Sequence, residues 1–210
     1  MLLQVPVMDI NGVRHGQSRA LLRWAGARSG LYPMHQDAGG EILQLHIDAA
    51  LDTITDIQSS LTPAWYGHAC SRSPLTGDFY SATKLTEAQM TGVFEALNTE
   101  ILPVRFQQLE RMLESWTEKN QASSTSSRSR GTISTSVAEV VGEKRGGPYF
   151  CGKMLTIADV SVYVLISGMQ DGTYLAGLEV AGILSACPRL LQLVSAVAIH
   201  PQVRAWEDTA

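Results

Sequence analysis

Residues 4–32, QVPVMDINGVRHGQSRALLRWAGARSGLY, decide how this chain is to be read. Val5-Pro6-Val7 has the composition of a strand, yet proline brings no N–H to a β-ladder and is confined to edges, strand starts and bulges. The Val5–Pro6 bond is expected to be cis, X–Pro being the one peptide bond for which that isomer costs little. A cis bond turns the N–H and C=O of Val5 outward, where they can pair with the backbone of a bound peptide. Met8-Asp9-Ile10 continues the strand, Asn11-Gly12 supplies a two-residue hairpin turn, and Val13-Arg14-His15 returns antiparallel. Ser18 is the expected N-cap of a largely apolar helix (Ala20, Leu21, Leu22, Trp24, Ala25, Ala27) that Gly30 ends. The free N–H groups at that helix start, with Gln17 and the Ser18 hydroxyl beside them, suit a carboxylate. A peptide-pairing strand beside a carboxylate-binding helix start suits a short acidic peptide.

Composition narrows the partners. With 45% hydrophobic and 17% charged residues over 210 positions, the chain can bury a sizeable core. A net charge of -4 argues against nucleic acid and against a polybasic membrane patch. No run approaches the roughly 20 apolar residues of a membrane span, and MLLQVPVMDI lacks the basic start of a signal peptide. Cys70, Cys151 and Cys187 are odd in number and without metal-binding spacing, so free thiols in a cytoplasmic protein are expected.

Beyond Tyr32-Pro33, the polar stretch MHQDAGG reads as a linker between residues 1–33 and a helical domain, 34–210. From about Glu41, Ile42, Leu45, Ala49 and Ile57 fall on one helical face, which Leu51 and Ile54 extend. Asp48, Asp52 and Asp56 form an i, i+4, i+8 stripe, read as a solvated acidic face for the first two; three aspartates on a straight helix make no closed oxygen cage for a metal. Thr62-Pro63-Ala64-Trp65-Tyr66 is expected to end this helix. A long helix follows Leu85-Thr86, kinked at Pro103. Residues 117–147 turn abruptly to serine, threonine, arginine and glycine, a composition that builds no core and reads as a flexible insertion or, alternatively, a phosphorylatable segment around Ser127 and Ser129. Leu155-Thr156-Ile157-Ala158-Asp159-Val160 then combines an N-cap threonine, an acid three residues on and an apolar pair flanking them, a capping box with a hydrophobic staple. Its role is folding, not catalysis.

The order of strand-proline, Asn-Gly turn, Gln-Ser helix start and the later LTIAD run resembles the glutathione S-transferase family, nearest its sigma class. The resemblance implies an α+β fold: the second part of a thioredoxin-like domain followed by an all-α domain. It implies glutathione as co-substrate, held by Gln4, Val5, Pro6, Gln17 and Ser18, a small hydrophobic electrophile as acceptor, and a homodimer. In the resembling class an aspartate on the matching helix crosses the dimer interface to the γ-glutamyl ammonium, and Asp56 holds that position. Aromatic residues near Trp65 and Tyr66 line the family's acceptor pocket; in this chain the pair serves either there or in the core. Arg19 and Arg23 are expected near the aspartate stripe across the dimer contact.

The chemistry implied is attack by the glutathione thiol or isomerisation with it. A free thiol with a pKa of about 8.5 is only a few per cent thiolate at neutral pH, so the anion must be stabilised. In the resembling class a tyrosine near the end of the first strand does this, within a strand-helix-strand unit of roughly 30 residues. Only Met1–Leu3 stand before Gln4, and neither Tyr32 nor Tyr66 matches that position. The expectation is therefore a glutathione-binding half-site without its catalytic tyrosine, or else a non-catalytic scaffold or dimerisation module.

Overall fold

The computed structural model describes residues 6–37, 39–68, 84–122 and 147–209, the side chains of 116–122 excepted. Gln4, Val5, Cys70 and most of the serine-rich stretch lie outside the described residues.

Strands β1 (Met8–Ile10) and β2 (Val13–His15) form an antiparallel hairpin in the register Met8↔His15, Asp9↔Arg14, Ile10↔Val13. Asn11 (φ 54) and Gly12 (φ 80) both take the left-handed conformation of a primed turn, and the Gly12 N–H donates to Asp9 Oδ1 at 2.9 Å. Helix α1 (Ser18–Ser29) stops at Gly30 (φ 77) as expected, but its N-cap is Gln17 rather than Ser18, which occupies the first helical position.

Helix α2 (Gly40–Tyr66) is the spine of the helical part. It passes through Pro63 and ends after Tyr66, within the stretch expected, with Gly67 (φ 64) as C-cap donating its N–H to the Pro63 carbonyl; buried Leu61 and Ala64 hold the last turns against the proline's missing donor. Its inward stripe is Leu43, Ile47, Ala50, Leu51, Ile54, Ile57, Leu61 and Ala64. Of the face expected, Leu51, Ile54 and Ile57 do pack inward, but Ile42 and Leu45 at its start meet water, being 50% and 67% exposed.

The next helical run is continuous from α3 (Glu87–Ala96) through a π-helical turn (Leu97–Ile101) into α4 (Leu102–Ala122). The kink expected at Pro103 takes the form of this widened turn, in which the Leu102 N–H reaches back five residues to the Leu97 carbonyl. Extra width just before a proline makes room for its ring. The helix also runs on through 117–122, because Glu118, Lys119, Gln121 and Ala122 are good helix formers despite the serine-rich stretch beyond.

Helix α5 (Ile157–Gln170) is the central helix, with seven buried residues. Its capping box forms as expected. The Asp159 carboxylate accepts from the Thr156 N–H (2.7 Å), the Thr156 hydroxyl (2.6 Å) and, across a loop, the Phe150 N–H (2.8 Å). Helices α6 (Val180–Leu184), α7 (Pro188–Ala198) and α8 (Pro201–Glu207) complete the described bundle. Glu110 of α4, a buried carboxylate, caps α7 from outside by accepting the Arg189 and Leu190 N–H groups, each at 2.8 Å. Two strands and a helix of a thioredoxin-like unit followed by an all-helical unit make the α+β fold expected.

Candidate functional site

The expected peptide site begins at Pro6, which is exposed at the entry to the hairpin. The first turn of α1 lies one strand further on. Gln17 is held at φ 71, ψ 103, and no side chain caps the helix. The first N–H groups of α1 are thus left for solvent or a ligand. A hollow of about 250 Å³ opens between the hairpin and the helix, lined by Ile10, His15, Gly16, Ala20, Leu21 and Trp24.

Helix α1 is fixed to the bundle at its far end. A Cβ on Gly26 would stand 2.6 Å from Ile157 Cγ2, so only glycine permits this approach to the start of α5. The Ile157 N–H donates to the Leu31 carbonyl at 3.0 Å, tying the two elements together.

The aspartate stripe divides into three environments. Asp48, read from sequence as a solvated charge, receives Arg23 Nε at 2.7 Å and the Tyr32 hydroxyl at 3.1 Å. Burial lowers the affinity of Arg23 for its proton, but the bond to Asp48 and its charge outweigh this and hold the guanidinium above its ordinary value. Burial, and then the bond to Asp48, push the Tyr32 phenol upward, away from ionisation. Asp52 is exposed and acts on Arg19 and Arg23 through its charge. Asp56 meets Arg105 of α4 at 3.2 Å on the surface. Arg19 and Arg23 therefore do lie beside the stripe, but within one chain.

Arg19 differs from Arg23 in having no bonded carboxylate. Its Nε donates to Thr55 Oγ1 (3.1 Å) and its Nη2 to Gln58 Oε1 (3.0 Å), both neutral acceptors. Burial is the main reason its guanidinium falls below its ordinary value, with Arg23 adding to the effect and Tyr174 and Asp52 opposing it. Gln58 Nε2 in turn donates to the Tyr174 hydroxyl at 2.8 Å.

Trp65 and Tyr66 are outside the core, 36% and 42% exposed. The Trp65 indole lies against the Tyr174 ring, centroids 5.4 Å apart, and its N–H donates to the Tyr174 carbonyl at 2.5 Å. The loop carrying Tyr174 is held again by Asn98 of the π-turn, which donates to the Gly177 carbonyl (3.2 Å) and accepts the Glu179 N–H (2.9 Å). Sequence reasoning passed over Gln58, Asn98 and Tyr174; the DGTYLAG run has turn composition and no periodicity to mark its tyrosine.

The protein's own described thiols are poor nucleophiles. Cys151 and Cys187 are both buried. Burial, with Glu110 and Glu114 nearby, pushes the Cys187 thiol up to about 11. Among the described residues no three metal-ligating side chains converge, and no helix is long and apolar enough to cross a membrane.

The arrangement is thus an open helix N-terminus beside an exposed proline, linked through Arg19 to an aromatic pair on the helical part. Solved structures with the same architecture include a prostaglandin synthase D of Nilaparvata lugens (18% identical, TM-score 0.61, covering 98% of this chain and 73% of that one). Another is a monomeric glutathione S-transferase, Na-GST-3, of the hookworm Necator americanus (16% identical, TM-score 0.58, 98% of this chain and 74% of that one). At these identities the likeness is one of fold. No curated protein matches the chain in sequence. Residues 77–210 match the family model described as glutathione S-transferase, C-terminal domain. More than half of the chain lies within that match, and the chain belongs to the glutathione S-transferase C-terminal domain family.

Proposed function

We propose that this protein binds glutathione and presents its thiol to a small hydrophobic electrophile, for conjugation or isomerisation. The peptide would pair with Val5 beside Pro6, with Gln4 alongside, and set a carboxylate on the first turn of α1 at Gln17 and Ser18. Residues 1–33 would form the glutathione-binding unit and 34–210 the helical unit. Trp65 and Tyr66 would face the acceptor. In a cytoplasmic homodimer of sigma-class type, Asp56 would exchange its exposed bond to Arg105 for the ammonium of the glutathione held by the partner.

The observation that carries this reading is the conformation of Gln17. A non-glycine residue at positive φ costs on the order of 1–3 kcal/mol, and such strain persists where function uses it. Here it accompanies a helix start that no side chain caps. Ser18→Asp tests the idea. An acid in the first turn favours the helix but repels a ligand carboxylate. Wild type should bind glutathione saturably by calorimetry, and Ser18→Asp should unfold at the same or a higher temperature while losing at least tenfold in affinity. Unchanged affinity would sink the assignment.

A second reading, a non-catalytic scaffold or dimerisation module, is favoured by one observation: the Tyr32 hydroxyl, the tyrosine nearest the half-site in sequence, is engaged by Asp48. Glutathione binding without turnover of an aryl halide would support it.

A further inference from the structure

We infer that the apolar hollow between the end of α1, the start of α5 and α8 is a second binding site, taking a neutral aromatic alcohol of one or two rings whose hydroxyl bonds His200. Leu31 after α1, Leu155 and Val160 around the start of α5, and Val203 and Trp206 of α8 wall a hollow of about 230 Å³. Tyr163, His200 and Gln202 are the polar side chains on its lining. It lies at the opposite end of α1 from the first turn assigned to the peptide, about 18 Å away along a 12-residue helix. The site is therefore distinct from the one proposed for glutathione.

His200 supplies the polar anchor. Its Nδ1 is shut off from solvent and, among the described residues, has no hydrogen-bond partner. His200 stands at the N-cap of α8, yet its side chain caps nothing; its carbonyl does that work, accepting the Val203 and Arg204 N–H groups at 3.0 Å each. A buried polar atom left unpaired is costly, so a ligand group that reaches it gains affinity. Water serves poorly here. Filling about 230 Å³ takes roughly seven molecules, each wanting two to four polar partners, and leucine and valine walls offer none. A hydroxyl on an apolar body satisfies both the nitrogen and the walls, and because it donates and accepts it suits either tautomer of His200.

The lining sets the rest of the ligand. The rings of Tyr163, His200 and Trp206 offer faces and edges against which a flat ring packs. No charged side chain lines the hollow, so an ionised ligand would give up its hydration without gaining a counter-ion. A carboxylate fares worse still. Glu207 accepts the Tyr163 hydroxyl at 2.5 Å, which places a negative charge beside that wall and leaves the Tyr163 proton engaged. The volume falls below the roughly 300 Å³ at which sites for drug-sized molecules begin, which limits the ligand to one or two rings.

Helix α8 has much to gain from an occupant. None of its seven residues is buried, and Trp206, with Val164 of α5 on the same lining, is left 64% and Val164 47% exposed. Val203 packs against the edge of the core, and the Glu207 bond to Tyr163 fastens the last turn. A ring seated beneath α8 would cover apolar surface that now meets water and would bridge the end of α1, the start of α5 and α8 at once.

The rival accounts are a hollow filled with water, one covered by another segment of this chain, and one covered by a second copy. Calorimetric titration of the whole chain with naphthol, naphthalene and naphthoate separates them. Wild type should bind one naphthol per chain and naphthoate about tenfold more weakly or worse, and saturating glutathione should leave the naphthol affinity unchanged. His200→Phe should lose about tenfold for naphthol while binding naphthalene as wild type does. Where that variant fails to fold, Val164→Glu serves, since it puts a charge on the lining at an exposed position; it should melt with wild type and lose about tenfold or more for naphthol. No naphthol binding by wild type would mean that water or another part of the chain holds the hollow, and would overturn the inference. Equal naphthol affinity in wild type and both variants would place the ligand elsewhere, and displacement by glutathione would place it in the acceptor site; either overturns it. So would a change of oligomeric state in Val164→Glu on gel filtration, which would assign the face to a second copy. A chain that binds naphthol but not glutathione would lose the reading above and keep this one.

Discussion

The hairpin with α1 and the helical bundle are held by different physics. In the bundle, α2 and α5 bury near-continuous apolar stripes, and the two most deeply placed carboxylates, Asp159 and Glu110, each satisfy backbone N–H groups that would otherwise be orphaned. In residues 6–29 only Leu21 and Gly26 are buried; Gly26 and half-buried Leu22 meet the apolar core, and the side-chain bonds to the bundle are polar: Arg23 to Asp48, and Arg19 to Thr55 and Gln58. Apolar burial contributes roughly 1.5–3 kcal/mol per large side chain, whereas half-exposed polar links contribute about 1 kcal/mol or less. The bundle should therefore withstand loss of the half-site, and the half-site should loosen without unfolding the bundle.

The sharpest test of that division is Asp159→Ala, which strips partners from two buried N–H groups and removes the cap of α5. Each unsatisfied buried donor costs about 1–3 kcal/mol, so a loss of roughly 3–5 kcal/mol in urea unfolding is expected. Glutathione affinity per folded molecule should not change; a loss of affinity at wild-type stability would contradict a folding role. Asp159 also gives a pH signature. Burial pushes its carboxyl up to about 6, against the hydrogen bonds that pull it down. The folded chain then holds this proton more tightly than the unfolded chain does. Raising pH from about 4 to about 6 removes the proton and lowers the contribution to stability, and above that window the contribution is flat. Asp159→Asn, with no proton to lose, should flatten the slope; an unaltered slope would assign it to other groups.

Next in size is Gly26→Ala, where the half-site packs closely into the bundle. The added methyl meets the γ-methyl of Ile157, a branched side chain with little room to retreat, and overpacking of this kind costs typically about 1–3 kcal/mol. If the two regions are as separable as their contacts indicate, hydrogen exchange should rise in residues 6–32 well before it rises in α2 or α5. A uniform rise throughout would mean that they unfold as one unit.

What could be read ahead from sequence follows the range of the interactions. The Asn11-Gly12 turn, the Gly30 stop and the Thr156/Asp159 box each depend on residues within a few positions of one another, and all were legible. The inward face of α2 was legible at Leu51, Ile54 and Ile57 but not over its first turns, because apolar residues surround that helix and a 3.6-residue period accommodates two stripes. Tertiary packing chose Leu43 and Ile47 over Ile42 and Leu45. The Arg19–Gln58–Tyr174 chain was beyond reach for a different reason. It joins side chains 39 and 116 positions apart, with no motif at either end. Asp48 was misread as a free surface charge since its partners lie 25 and 16 residues earlier, on elements whose docking the sequence does not display.

The smallest effect expected is that of the Arg23–Asp48 pair, and it is also the most local probe of the boundary. Both side chains are about one-third exposed, so solvent screens them, and each alanine variant should cost about 1 kcal/mol or less in global stability. A double-mutant cycle should find a coupling of a few tenths of a kcal/mol up to about 1 kcal/mol, because the two alanine substitutions remove the same bond. Tyr32 gives an independent reading. Without Asp48 its hydroxyl loses the partner that, after burial, most favours its neutral form, so its phenol should titrate at lower pH in Asp48→Ala than in wild type. A coupling near zero with an unmoved Tyr32 titration would show that the clamp does not hold α1 to α2 in solution, leaving Gly26 and the Arg19 bonds to do so.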